Sequence, residues 1–144
     1  MRIICSHRLV SDCQRDPALY QYMDASFHYD GGELPVQVGR YYTVYALLLT
    51  DLGSWGFILE DESDPYPVAF PLALFQVSHN RLSRYWRYGG RQPAFSGALR
   101  KATGILAFSE WVDDHRYYEW LVDGDPKAEA VFSKYKKLID EEAG

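Results

Sequence analysis

Cys5-Ser6-His7 and Cys13 are the residues whose types and spacing come nearest to chemistry. A thiolate and an imidazole at alternate positions of a strand can reach one zinc ion. The same cysteine and histidine can also act as nucleophile and base. The C-x-H-x5-C spacing matches no established zinc pattern, and a fourth ligand falls to His28 or Asp12. Nothing nearby supplies an orienting third group or an oxyanion site, so both cysteines are expected to be structural, reduced thiols. A disulfide closing the short loop between them is the alternative. His79 reads as a turn residue. His115, among Asp113, Asp114, Arg116 and Glu119, reads as a helix-boundary histidine.

The chain has no H-E-x-x-H, G-x-S-x-G, G-x-x-x-x-G-K-[ST] or G-x-G-x-x-G pattern, which removes the commonest metalloprotease, hydrolase, nucleotide and dinucleotide classes. Asp61, Glu62 and Asp64 could pair as acid and base, yet carboxylates in a solvated loop are more often solubilising. The loop also lacks the glycine position and spacing of an EF-hand. No catalytic residue, metal or cofactor is expected.

Charge is distributed unevenly. Between Arg81 and Lys101 stand six bases (Arg81, Arg84, Arg87, Arg91, Arg100, Lys101) and no acid, whereas residues 51 to 64 hold five acids and no base. Two outcomes follow: the segments neutralise each other in the fold, or one of them is an interaction surface that steers a charged partner. The preferred surface is the acidic, tyrosine-bearing loop with Glu60, Asp61, Glu62, Asp64 and Tyr66, supported by acids of the C-terminal helices. The alternative surface is the stretch 81 to 88, where Arg84, Trp86, Arg87 and Tyr88 interleave guanidinium and ring as in single-stranded nucleic-acid binding.

The elements that must position these groups divide by period. Arg2 to Cys5 is a short strand, and the rest of residues 1 to 37 reads as irregular, with turn signals at Asp16-Pro17 and Asp30-Gly31-Gly32. Tyr41 to Leu49 reads as one strand, turning through Asp51-Leu52-Gly53-Ser54 into Trp55 to Leu59. A strand is expected from Leu72 to Val77 or Ser78, since Pro67 and Pro71 cannot donate ladder hydrogen bonds. Further strands are expected over Leu82 to Tyr88 and Gly104 to Phe108, joined by a loop with Gly89-Gly90 and Pro93. One helix should then run from an N-cap at Ser109 to Val122 or Asp123, with Gly124 at its end. Asp125-Pro126 should start a second, whose Ala128, Val131, Phe132, Tyr135, Leu138 and Ile139 make one apolar stripe. The expectation is therefore an α+β fold: about five antiparallel strands in a curved, partly barrel-like sheet (38 to 108), followed by two helices (109 to 144).

With 144 residues the chain is sized for a single domain that needs neither disulfide nor metal to bury a core. Its formal charge of −5 argues against a DNA-coating protein and favours a basic partner or none. The segment MRIICSHRLVSD has no long apolar region or small-residue cleavage site, and the longest apolar run, Val44 to Leu49, is strand-sized. A cytoplasmic location without membrane contact is the expectation. The 23 aromatic residues (12 Tyr, 7 Phe, 4 Trp) are too many to hide completely, which favours ring-anchored recognition.

Tyr-Thr-Val-Tyr-Ala, Tyr-Pro-Val-Ala-Phe-Pro-Leu-Ala-Leu-Phe and Asn-Arg-Leu-Ser-Arg-Tyr-Trp within Tyr41 to Tyr88 resemble a pattern in small bacterial proteins. So do Phe108-Ser109-Glu110-Trp111 and Asp123-Gly124-Asp125. In type, though not by a shared motif, such small acidic proteins are similar to the immunity proteins that neutralise toxins. That resemblance implies a non-enzymatic inhibitor with a basic protein partner, nucleic acid being the less favoured partner.

Overall fold

The computed structural model describes residues 1–26, 32–90 and 102–144. Its strands are β1 (Arg2–Cys5), β2 (Tyr41–Thr43), β3 (Ala46–Thr50), β4 (Gly53–Ile58), β5 (Val68–Pro71), β6 (Phe75–His79), β7 (Arg87–Gly90) and β8 (Ala102–Ala107). Its α-helices are α1 (Pro17–Ser26), α2 (Ser109–Asp113), α3 (Tyr117–Val122) and α4 (Pro126–Ala143). The α+β class is as expected, but among the described residues the strands form two antiparallel sheets instead of one, β2-β1-β6 and β5-β4-β3-β8-β7, and neither closes into a barrel.

The division begins inside the segment expected to be one strand. Val44 and Tyr45 are both buried, which breaks the in-out alternation of a single strand, and their N–H groups donate to different neighbours. Val44 bonds the Met1 carbonyl at 3.2 Å and Tyr45 the Phe57 carbonyl at 2.9 Å, so the chain crosses here from one sheet to the other. Beyond the corner, Ala46, Leu47 and Leu48 are all buried, as a central strand covered on both faces requires. The β3–β4 hairpin forms as expected, with Gly53 at φ +96 completing its turn.

Five other expectations are corrected. Residues 1 to 37 are not irregular throughout: Asp16 Oδ1 accepts the Leu19 N–H at 3.2 Å, and α1 then buries Leu19 and Met23 one turn apart. Asp16-Pro17 is thus a helix start. The strand expected from Leu72 is displaced, because Leu72–Leu74 make a 3-10 turn between β5 and β6. Pro71 is tolerated in β5 because that strand is at the sheet edge. The strand over Leu82 to Tyr88 begins only at Arg87. Finally, the helix expected from Ser109 to Val122 is broken at Asp114, whose Oδ1 accepts the Arg116 N–H at 2.9 Å. Short Asp side chains compete in this way with the helical ladder. Ser109 is the first helical residue, and Phe108, which cannot cap through its side chain, is the N-cap.

The second predicted start is accurate. Asp125 caps α4 by accepting the Ala128 N–H at 2.9 Å, Pro126 occupies the first turn, and Gly124 takes φ +79. Along α4, Ala128, Phe132 and Ile139 are buried, with Val131 and Tyr135 partly so.

The helices meet the five-stranded sheet through rings. Trp111 lies edge-on to Phe57 at 4.9 Å, stacks on Tyr118 at 5.4 Å and meets Phe108 at 5.6 Å. Phe108 in turn stacks on Tyr135 of α4 at 4.3 Å with planes 3° apart. Trp55, on the same face of β4 as Phe57, meets Tyr22 of α1 at 5.5 Å. Truncating Trp111 removes the shared partner of these rings, so Trp111→Ala should lose about 3–5 kcal/mol in urea unfolding. Removing only the α4 cap by Asp125→Ala should cost about 1 kcal/mol.

Candidate functional site

The acidic loop between β4 and β5 fastens itself. Asp61 Oδ1 accepts from the Ser63 N–H at 2.9 Å and from Ser63 Oγ at 2.7 Å. Asp64 Oδ2 accepts the Asp61 N–H at 2.8 Å, while the Asp64 N–H returns to the Asp61 carbonyl at 3.0 Å. These bonds from Ser63, joined by the charge of Arg40, hold the Asp61 carboxyl below its ordinary value. Glu60 is partly buried, and that burial together with Asp64 pushes its carboxyl upward. Among the described residues no Lys or Arg nitrogen comes within 4.0 Å of Glu60, Asp61, Glu62 or Asp64.

Tyr66, at the end of the loop, is half-buried and rests edge-on against Tyr118 at 6.5 Å. The Tyr118 hydroxyl donates to the Pro67 carbonyl at 2.8 Å, pinning the loop's exit to α3. At the other side, Glu62 lines a polar cavity of about 320 Å³ with Arg2, Arg40, Lys136 and Asp140. There Asp140 is doubly satisfied, by the Tyr45 hydroxyl at 2.7 Å and by Lys136 Nζ at 2.7 Å. The loop's acids are thus brought together, but Glu62 and Tyr66 face different neighbours.

The basic stretch behaves differently. Arg84 donates its backbone N–H to Glu142 Oε1 at 3.0 Å and holds the same oxygen with Nε at 3.6 Å. The Glu142 side chain is largely buried, which alone would raise its pKa, but the Arg84 N–H bond and the Arg84 charge, with Ser83 beside it, bring it below the ordinary value. Arg87 reaches Asp113 at 3.4 Å. Trp86 is half-buried, its indole N–H donating to the Tyr45 carbonyl at 2.9 Å. Tyr88 is 63% exposed, yet its ring covers Gly104 so closely that a Cβ there would stand 2.8 Å from it. Because Ser83 to Trp86 are not in a strand, the expected two-faced alternation of Arg and ring is absent. Arg91, Arg100 and Lys101 lie outside the described residues, as do Asp30, Gly31 and Pro93.

His7, Asp12, Cys13 and Asp16 surround a cavity of about 360 Å³, which Cys5 does not line. Both cysteines are free and buried. Cys5 Sγ donates to the His7 carbonyl at 3.4 Å, and Asp12 Oδ2 accepts the Leu9 N–H at 3.2 Å. Burial, with Asp12 and Asp16 close by, pushes the Cys13 thiol up to about 11, opposite to what a nucleophile requires. Among the described residues no three potential ligands gather as a metal site, and His28 lies outside them. His79 ends β6, and exposed His115 is in the turn between α2 and α3. No helix among the described residues is long and apolar enough to cross a membrane.

The acids of the C-terminal helices, taken from the sequence only as support for the loop, make a second acidic region of their own. Glu110, Asp113, Asp114 and Asp125 line a groove of about 660 Å³ with Tyr117, Trp120, Lys127, Ala128 and Val131. Its signal was the excess of acids beyond residue 109, but their convergence depends on the break at Asp114. Searches against family models, curated proteins and solved structures return no match for this chain.

Burial raises the Tyr45, Tyr117 and Tyr118 hydroxyls above the ordinary tyrosine value, helped at Tyr45 by the bond to Asp140. A group kept protonated in the fold but free to ionise when unfolded contributes its full stability below its unfolded pKa, and that contribution is lost as pH rises. The urea midpoint should therefore be unaffected by these groups near neutrality and fall above about pH 9–10. Tyr45→Phe should make that fall shallower. At neutral pH, Cys5 and Cys13 should resist a disulfide-exchange reagent until urea unfolds the chain.

Proposed function

We propose that the chain is a non-enzymatic binding protein that occupies a basic protein partner, as an immunity protein occupies a toxin or effector domain. The observation that carries this reading is the difference between the two charged segments. Arg84 and Arg87 of the basic stretch are engaged by Glu142 and Asp113, whereas the carboxylates of the acidic loop have no Lys or Arg within 4.0 Å among the described residues. Internal neutralisation therefore uses acids of the C-terminal helices and leaves the loop available.

The mechanism is occlusion. Asp61, Glu62 and Asp64 steer the partner by long-range attraction and then pair with its Lys and Arg side chains. Bonds within the loop already set the carboxylates of Asp61 and Asp64, so less conformational freedom is lost when the partner arrives. Tyr66, backed by Tyr118, supplies ring surface beside the charges. A cytoplasmic setting, where both buried thiols stay reduced, belongs to the same proposal.

Nuclease-treated lysate of the source organism provides the test. The wild-type chain should capture one stoichiometric protein, and reversal of Asp61, Glu62 and Asp64 to Lys should slow association with it by roughly tenfold or more at low salt. Unchanged association of that protein with the triple variant, or capture of nucleic acid alone, would sink the reading.

A further inference from the structure

The groove among α2, α3 and α4 combines an apolar floor with an acidic rim. Tyr117 and Ala128 are buried at its base, where the Tyr117 hydroxyl donates to the Ala128 carbonyl at 2.8 Å, and Val131 continues the apolar surface along α4. The floor is consequently fixed before any ligand arrives. Trp120 forms part of the wall and is 42% exposed. In α3 the inward positions belong to Tyr117 and Leu121, four residues apart, which leaves Trp120 on the flank. A tryptophan beside a preformed apolar recess is the type of side chain that most often dominates a protein interface.

The rim decides what can sit there. Glu110, Asp113, Asp114 and Asp125 face one cation, Lys127, among the lining residues. Of these acids only Asp113 has an ion-pair partner among the described residues, Arg87 at 3.4 Å, and both members of that pair are exposed. Such a pair is weak and readily exchanged for a partner's cation. Asp114 and Asp125 are already oriented by the Arg116 and Ala128 N–H groups. An acidic peptide or a phosphate backbone would meet repulsion here, whereas Lys or Arg on either side of an apolar side chain meets complementary charge above an apolar floor.

We propose that this groove docks a basic segment of a protein partner, one whose aliphatic or aromatic anchor enters against Trp120 while its flanking Lys or Arg side chains pair with the rim. The inference rests on the protein-binding reading for the nature of the occupant, but it uses none of the residues of the acidic loop.

The test titrates the isotope-labelled full chain with a short peptide of alternating Lys and Leu, and separately with its Glu and Leu counterpart. The Trp120 indole N–H signal is identified by its loss in Trp120→Phe. The Lys peptide should shift the Trp120 indole and the Ala128 and Val131 amides saturably, and the Glu peptide should not. Asp113→Asn with Asp114→Asn, in which Asn keeps an acceptor for the Arg116 N–H, should weaken binding about tenfold, as should Trp120→Ala. Asp61→Asn with Asp64→Asn should leave it unchanged. The proposal is overturned if the Trp120 indole does not move, or if the Glu peptide binds equally well. Shifts confined to residues 60–66 would also overturn it while favouring the acidic-loop reading. Groove binding alongside partner capture that survives the loop reversal would overturn the loop reading and support the groove.

Discussion

The contact of Trp111 with Phe57, Phe108 and Tyr118 is the interaction on which the arrangement of the molecule depends. Phe57 belongs to the sheet, Phe108 to the end of β8, and Tyr118 to α3, so one indole ties three parts of the chain together. Ring pairs of this kind add roughly 0.5–1.5 kcal/mol each beyond the area they bury. Their directionality matters as much as their strength. Edge-on and stacked contacts fix how α2 and α3 lie on the sheet, and the Phe108–Tyr135 stack extends the constraint to α4. The high aromatic content is thereby explained largely by the core, with Trp120 and Tyr88 among the rings left outside.

From this frame follows the placement of charge. Because α4 packs on Tyr45 through Phe132 and Asp140, Glu142 arrives beside Arg84, and because α2 ends early, Asp113 arrives beside Arg87. Arg84 and Arg87 of the basic stretch are in this way paired with acids of the C-terminal helices. The loop from Glu60 to Asp64, tied to itself and pinned at Pro67 by Tyr118, keeps Asp61 and Glu62 exposed. The acids of the helix groove form a second such region, on a different set of residues. A net charge of −5 thus resolves into ion pairs of Arg84 and Arg87 with the C-terminal helices and two regions, the loop and the groove rim, in which acids outnumber bases.

The Asp-Pro dipeptide shows how much of the fold was legible and where legibility stops. At Asp125-Pro126 it precedes a long periodic stretch, and it was read correctly as cap and first turn. At Asp16-Pro17 the same chemistry starts α1, yet only Leu19 and Met23 mark its buried side, too few positions to distinguish a short helix from a turn. The hairpin through Gly53 and the strand before Phe108 were legible because strand-favouring composition and turn chemistry are local. The acidic loop was legible as a cluster, but the lack of a close ion pair to it among the described residues was not, since ion pairing joins residues far apart in sequence. Arg84 and Glu142, 58 positions apart, illustrate the point.

Local chemistry in the sequence determined the α+β class, the β3–β4 turn, the start of α4 and the absence of the common catalytic motifs, because each depends on dihedral preference, capping or residue identity within a few positions. Tertiary structure alone decided that the strands split into two sheets at Val44-Tyr45, that Trp86 turns inward to the Tyr45 carbonyl, and that four acids surround an apolar groove. Those outcomes depend on which distant backbone groups and rings compete for the same partner, and that competition is settled only when the whole core is packed.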